Sequence, residues 1–133
     1  MDYEISLLFW GEKFTHLLTT FALPSLLAKG NLPSWAYKET TTMVFHTTKQ
    51  DWKRLSQTSS FKRIASLLDV EWRKIELEES AYTAPRSPET PLKYYLMSQI
   101  QRNIMERAYQ EQISLIQPPP DTIFSQETLG VIS

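Results

Sequence analysis

Two residues that could bind a ligand stand at the end of the first apolar run of the chain. The run Ile5–Trp10 ends at Gly11, so an indole and a glycine stand together where a strand would stop. An indole can stack on a base or a sugar, and a glycine lets the backbone approach a ligand closely. The structural alternative is a core tryptophan followed by an ordinary turn glycine. Trp10 and Gly11 are therefore candidates for ligand binding, with packing as the alternative.

A carboxylate near the end of the chain is the candidate for metal binding. Asp121 follows three prolines and precedes the apolar pair Ile123 and Phe124. A carboxylate at a strand end can hold a divalent cation that bridges phosphates. As a turn residue, Asp121 needs no function. The sequence contains no G-x-G-x-x-G and no P-loop motif, and no catalytic triad or carboxylate pair can be assigned.

The histidine and cysteine content of the chain argues against a zinc site and against cysteine chemistry. His16 and His46 are the only histidines, and neither has the neighbours that a zinc site requires. We expect His46 to pack at a strand end and His16 to lie at a helix edge. The absence of cysteine excludes disulfides, thiolate metal sites and a cysteine nucleophile.

The charge balance argues against two classes of partner. The chain has 14 basic and 15 acidic residues, so it has no overall attraction to nucleic acid or to an anionic membrane. A local cluster of basic residues is interpreted as a solvated face, and a phosphate or nucleic-acid patch is the alternative. Its members are Lys49, Lys53, Arg54, Lys62 and Arg63. No nucleic-acid partner is predicted.

The elements that must position these residues alternate between strands and helices. Strands are predicted at Ile5–Trp10, Thr41–Thr47 and Val70–Leu77 from their apolar and β-branched content. Short extended segments are predicted at 121–125 and 129–132. The 133 residues predict a single domain, and the proline-rich segment 78–91 is interpreted as an exposed loop within it.

Four helical segments are predicted between the strands. The first has a stripe made of Phe14, Leu17, Leu18, Phe21 and Ala22, and Pro24 should end or kink it. Thr48 to Asp51 resembles a capping box and opens a helix over 49–57. A third covers 60–68, with Phe61, Ile64, Ala65 and Leu68 on one face. A long helix capped by Thr90 is expected to run from Pro91 to about Ile116.

This order predicts an α/β fold. We expect a Rossmann-like, mostly parallel sheet of about four strands flanked by helices. Ligands of such sheets bind beyond the carboxyl ends of the strands, where the topology changes direction. That rule places Trp10–Lys13, Thr47–Lys49 and the neighbourhood of Asp121 on one rim.

Three segments together resemble a bacterial group of glycosyltransferase-like proteins with a GT-A-type nucleotide-sugar domain. The first is Phe9–Phe14 continuing into Leu23–Pro33, the second is Phe45–Asp51, and the third is Pro120–Ser125. The similarity touches most of the chain. It implies that the ends of the first two strands bind a nucleoside diphosphate sugar, through Trp10, Gly11, Thr47 and Thr48.

The resemblance also implies a metal position. Asp121 corresponds to the neighbourhood of the acidic motif that binds Mn²⁺ or Mg²⁺ in such enzymes, although Pro119 stands where the earlier acid of an Asp-x-Asp pair would be. The acceptor half of these enzymes follows this motif. The chain is therefore expected to bind the donor without turnover by these residues alone.

Two further expectations concern location and an alternative function. The acidic start and the short run Ile5–Trp10 fit neither a signal peptide nor a membrane span, so a cytoplasmic protein is predicted. The alternative function is a non-enzymatic interaction module that docks a partner or forms a homo-oligomer. In that alternative, an unpaired sheet edge recruits another chain.

Overall fold

Four parallel strands form one sheet in the order β3-β2-β1-β4. The computed structural model describes residues 2–76 and 92–118, the first five of the second range as backbone only. The strands are β1 (Tyr3–Leu8), β2 (Thr41–Thr47), β3 (Asp69–Lys74) and β4 (Ser114–Ile116). Every neighbouring pair is parallel, and this confirms the predicted α/β, Rossmann-like fold.

The central strands are buried on both faces. Ile5 and Leu7 of β1 point to the main core, and Glu4 and Ser6 of the same strand are buried on the opposite face. β1 therefore alternates between apolar and polar residues as far as Leu7 although both of its faces are covered, and Glu4 is paired with Arg107 on the second face. The continuous apolar run that predicts the strand overlaps only its end, so β1 begins and ends earlier than the predicted Ile5–Trp10.

The chain changes direction within the sheet between β1 and β4. From β1 it adds β2 and then β3 on one side, and it returns to place β4 on the other side of β1. The helix before β4, α5 (Leu92–Gln110), contacts Glu4 through Arg107, on the face opposite the main core. Helices therefore cover both faces, and the switch in strand order lies beside β1.

The first helical segment covers residues 12–26 in three forms. It comprises α1 (Glu12–Leu17), a π-helical turn (Leu18–Ala22) and α2 (Leu23–Leu26). Of the two outcomes predicted for Pro24, an end or a kink, the helix does not end there: it continues to Leu26, and the wider turn before the proline accommodates a residue that lacks an amide proton. Phe21, predicted on the core stripe, is 48% exposed, since the same turn rotates the helix face.

Two short helices connect β2 to β3 on the main-core side. They are α3 (Lys49–Ser56) and α4 (Ser59–Leu67), capped by the side chains of Thr48 and Thr58. Leu55 and Ile64 are fully buried against the sheet. Ala65, predicted on the buried face of α4, is exposed. Before β2, the loop contains two 3-10 turns, Leu32–Ser34 and Lys38–Thr40.

The end of the long helix corrects a further prediction. The helix ends at Gln110 rather than near Ile116, and Gln112 adopts a positive φ of 56°. Residues 114–116 form β4 instead, because pairing with β1 satisfies their backbone groups. The buried contacts of α5 come from Ile104 and Ala108, whereas Met105 and Tyr109 are exposed.

Several predictions lie outside the described residues. These are the loop 78–91, the extended segments 121–125 and 129–132, and the metal candidate Asp121. Leu77, the last residue of the predicted third strand, also lies there, and β3 itself ends at Lys74. Among the helices that the structure describes, none combines the length and apolar character needed to cross a bilayer.

Candidate functional site

A cavity of about 870 Å³ opens at the carboxyl ends of β1, β2 and β3. The first two strands run side by side with Leu8 opposite His46, and the Phe9 amide donates a hydrogen bond to the His46 carbonyl at 3.1 Å. Their ends therefore share one crevice, as predicted. The lining residues come from the start of α1 and the glycine before it, from α3 and its cap, and from the end of β3 and the residues after it: Gly11, Glu12, Thr48, Lys49, Gln50, Asp51, Arg54, Lys74, Ile75 and Glu76.

One buried carboxylate connects the two sides of this crevice. Asp51 Oδ2 accepts hydrogen bonds from the Gly11 amide at 2.9 Å and from the Thr48 hydroxyl at 2.6 Å. Asp51 Oδ1 accepts from the Thr15 hydroxyl at 3.3 Å and lies 3.5 Å from Arg54 Nη1. Asp51 is 3% exposed. The loop after β1 and the first turn of α3 are therefore fixed to each other through one side chain.

The predicted capping box is confirmed in part. The Thr48 hydroxyl accepts a hydrogen bond from the Asp51 amide at 3.2 Å, as a helix cap should. In the reciprocal half of a capping box, the acidic side chain returns to the amide of the cap residue. Asp51 instead reaches the Thr48 hydroxyl and Gly11, 40 residues earlier in the chain.

Gly11 has a backbone conformation that other residues rarely adopt. Its φ is 91° and its ψ is 154°, a region that is essentially restricted to glycine. No heavy atom of the described residues lies within 4 Å of the position that a Cβ would take. Glycine is therefore required here by the backbone conformation of the turn and not by a close contact.

The four predicted nucleotide-binding residues separate into two groups. Gly11 and Thr48 line the cavity. Trp10 is half-buried and Thr47 is fully buried, and neither is among the described lining residues. Thr47 Oγ1 finds no hydrogen-bond partner within the described ranges. The carbonyl of Thr47 accepts from the Ile75 amide and from Trp72 Nε1, so its backbone supports the β2–β3 side of the crevice.

Charged groups of both signs surround the cavity. Lys74 Nζ lies 3.1 Å from Glu76 Oε1, and Arg54 is paired with Asp51. Lys49 lies at the first position of α3 and is exposed, and no ion pair to it is found in the described part of the chain. It is thus the cation most accessible to an incoming anion.

The described residues of the cavity do not fit a divalent metal. Both oxygens of Asp51 are engaged by protein donors, and Glu76 is paired with Lys74. In the ranges 2–76 and 92–118, no group of three histidine or acidic side chains is arranged to hold a metal ion. The predicted ligand Asp121 lies outside those ranges.

A second cavity of about 690 Å³ adjoins the first. Glu12 and Arg54 line both cavities, so Arg54 stands at their junction. The second cavity extends along α1, past His16, which lies exposed at the edge of this helix as predicted. Its other lining residues are Lys13, Thr15, Thr19 and Thr58.

His46 lies on the opposite face of the sheet from these cavities. It is 5% exposed, as predicted for a histidine that packs at a strand end. Burial lowers the pKa of His46 from 6.5 to about 4; the nearby charge of Glu4 opposes this shift, and those of Arg73 and Arg107 add to it. The imidazole is therefore neutral at neutral pH, and it takes no part in the cavity.

Three charged side chains of the cavity are not predicted from the sequence as site residues. Lys74 and Glu76 belong to a segment predicted as plain strand, and Asp51 is interpreted from the sequence only as a helix-cap residue. The signal for Asp51 is its short side chain in place of the usual glutamate of a capping box. Nothing in the sequence indicates that Gly11 is its partner.

Comparisons with known proteins add no relationship. No protein-family model, curated protein or solved structure matches this chain.

Proposed function

We propose that the cavity at the carboxyl ends of β1 and β2 binds a nucleoside diphosphate sugar. The chain would then be the donor-binding part of a glycosyltransferase-like protein. The observation that carries the proposal is the shared crevice of two adjacent parallel strands, with Gly11 and Thr48 on its walls. This is where open parallel sheets bind ligands.

The topology supports the same location. The strand order reverses between β1 and β4, so the loop after β1 lies at the switch point where a crevice forms outside the strand ends. β4 runs parallel to β1, and Asp121 follows it in the sequence, outside the described residues. The described part of the predicted rim is therefore formed by the ends of β1 and β2.

The cations of the cavity suit a diphosphate. Lys49 is exposed at the start of α3, Lys74 ends β3, and Arg54 stands at the junction of the two cavities. Lysine and arginine side chains bind phosphate through charge-assisted hydrogen bonds. The second cavity offers room for the sugar or the nucleoside beyond the diphosphate.

The metal is part of the proposal through Asp121 only. A divalent ion would supply charge neutralisation for the diphosphate. The residues that line the described cavity would bind and orient the donor without it. Since catalytic residues are not assigned, the proposed activity is donor binding rather than sugar transfer by this chain alone.

Calorimetric titration tests the proposal. The protein is titrated with nucleoside diphosphates of each base and with their sugar conjugates, with and without Mn²⁺. We expect binding of at least one of them, weakened severalfold in Lys49→Met and unchanged in Lys53→Met, because Lys53 lies on the same helix outside the cavity. If none of the nucleotides binds, the proposal is refuted.

A second candidate function rests on the outer surface of α5. Tyr109 is 86% exposed and Met105, one turn earlier, is 57% exposed, which supports docking of a partner or self-association through this helix. The edge strand β3 fits such a role less well, since Asp69, Glu71, Arg73 and Lys74 place charges along it. Light scattering of the wild type and of Met105→Glu/Tyr109→Glu separates a dimer through α5 from a monomer.

A further inference from the structure

We propose that Asp51 is the specificity-determining residue of the cavity: its fixed negative charge keeps ligand phosphates away from the loop after β1. The inference rests on the proposed function, because it concerns how the same cavity selects its ligand. The groups that carry it are Asp51, its three hydrogen-bond donors and the three cations of the cavity wall.

The donors that an anion would use are already occupied. The Gly11 amide and the Thr48 hydroxyl both donate to Asp51 Oδ2, at 2.9 and 2.6 Å. One donor belongs to the loop after β1 and the other to the cap of α3, and a phosphate oxygen bound at either of them would need the same protons. Asp51 is 3% exposed and held by four groups, so it does not swing away as a surface carboxylate would.

The carboxylate also determines where positive charge is available. Arg54 lies 3.5 Å from Asp51 Oδ1, and part of its charge is neutralised there. A phosphate placed against Gly11 would meet the Asp51 charge at short range, in a cavity floor poorly screened by solvent. A phosphate placed against Lys49 would meet a cation with no ion pair in the described residues, and Lys74 shares its charge with the exposed Glu76, which solvent screens. The arrangement therefore confines the anionic part of a ligand to the α3–β3 side of the crevice.

The replacement Asp51→Asn removes the charge and retains the geometry. An amide oxygen at the Oδ2 position still accepts from Gly11 and Thr48. The amide nitrogen then faces the Thr15 hydroxyl, which can accept because it also donates to the Gly11 carbonyl at 2.9 Å. The substitution thus breaks the ion pair with Arg54 and keeps the hydrogen bonds that join the two walls.

The control Glu12→Gln removes one negative charge from the same cavity. Glu12 is exposed and takes part in none of the interactions of Asp51, so solvent screens its charge. Comparison of the two variants separates a fixed, buried charge from a general change in the charge of the cavity.

Inorganic pyrophosphate is the probe, and binding is followed by calorimetry and by amide NMR shifts. We expect Asp51→Asn to bind pyrophosphate about tenfold more tightly than the wild type, and Glu12→Gln to differ from it by less than about threefold. Equal or weaker binding by folded Asp51→Asn would overturn the inference.

The wild-type protein supplies a measurement that does not depend on any variant folding. On addition of pyrophosphate, we expect the amide signals of Lys49 and Gln50 to shift while that of Gly11 stays in place. A shift of the Gly11 amide signal, showing that this amide now donates to the ligand instead of to Asp51, would overturn the inference. If pyrophosphate behaves as expected but no nucleotide binds either protein, the proposed function fails and the role of Asp51 in anion selection stands.

Discussion

The indole rings of Trp52 and Trp72 lie parallel, with centroids 5.4 Å apart and an angle of 2° between their planes. This stack joins α3 to β3 beside the crevice. Trp72 Nε1 also donates to the Thr47 carbonyl at 3.1 Å, so the same ring is fixed to the end of β2. The stack thus attaches α3 to the β2–β3 pair, whose two strands are already joined by their ladder of backbone hydrogen bonds.

A double-mutant cycle on this pair should show direct coupling. We expect Trp52→Leu and Trp72→Leu each to lower the free energy of unfolding, and their interaction energy to be about 0.5–1.5 kcal/mol, the usual value for an aromatic pair. Urea unfolding of the two single variants and the double variant measures it. Additive effects would show that the stack contributes nothing beyond the burial of each ring.

The ion pair between Glu4 and Arg107 should stabilise the docking of α5. Glu4 is 4% exposed, and its carboxylate receives the Ser6 hydroxyl as well as Arg107. Arg107→Met would leave a buried carboxylate without its cation, which costs on the order of 3 kcal/mol of unfolding free energy. Arg102→Met, an exposed position of the same helix, should cost less than about 0.5 kcal/mol. Equal losses in the two variants would contradict this role.

Stability should depend on pH through His46. Its folded pKa of about 4 lies below the ordinary 6.5, so between these values the unfolded chain binds a proton that the folded chain does not. Stability is therefore fully present above pH 6.5 and is lost as the pH falls toward 4, by roughly 3 kcal/mol.

Denaturant unfolding from pH 7 to pH 4 checks the size of this loss. His46→Gln should lose less stability than the wild type over the range, because glutamine does not titrate. The matched control His16→Gln, at an exposed site, should follow the wild-type curve. Parallel curves for wild type and His46→Gln would contradict the account.

Gly11→Ala should destabilise the fold through backbone strain alone. No atom of the described chain lies near the added methyl group, whereas the φ of 91° and ψ of 154° are unfavourable for any residue with a Cβ. The expected loss is about 1–3 kcal/mol. Gly11→Asn should cost a similar amount, since asparagine is favoured only in the left-handed helical region. Thermal unfolding compares the variants, and an unchanged midpoint in Gly11→Ala would refute the requirement.

The order of the first three strands and of the helices between them is predictable from the sequence because these elements have local signals. Thr41–Thr47 matches β2 residue for residue, since its β-branched and aromatic residues stop at a capping threonine. The β4 strand escapes prediction because Ser114–Ile116 continues the apolar pattern of α5 and is a strand only by pairing with β1. The helix continues past Pro24 because of the π-helical turn before it, and that turn has no sequence signature.

The sequence predicts which residues lie together at the rim of the sheet, but not the contacts between them. Parallel strands bring their carboxyl ends to one edge, so Gly11 and Thr48 can be placed together without a structure. The contact between Asp51 and Gly11 depends on how α3 packs against the loop after β1, which local patterns do not encode. The inward position of Thr47 follows from the alternation of β2, in which Met43 and Phe45 face the main core.

Amide NMR mapping during a nucleotide titration tests the central claim most directly. A labelled wild-type protein is titrated with the nucleoside diphosphate that binds best by calorimetry. The account predicts the largest shifts at Lys49, Gln50, Ile75 and Glu76, around the carboxyl ends of β2 and β3. Shifts confined to α5, or a spectrum that no nucleoside diphosphate changes, would contradict it.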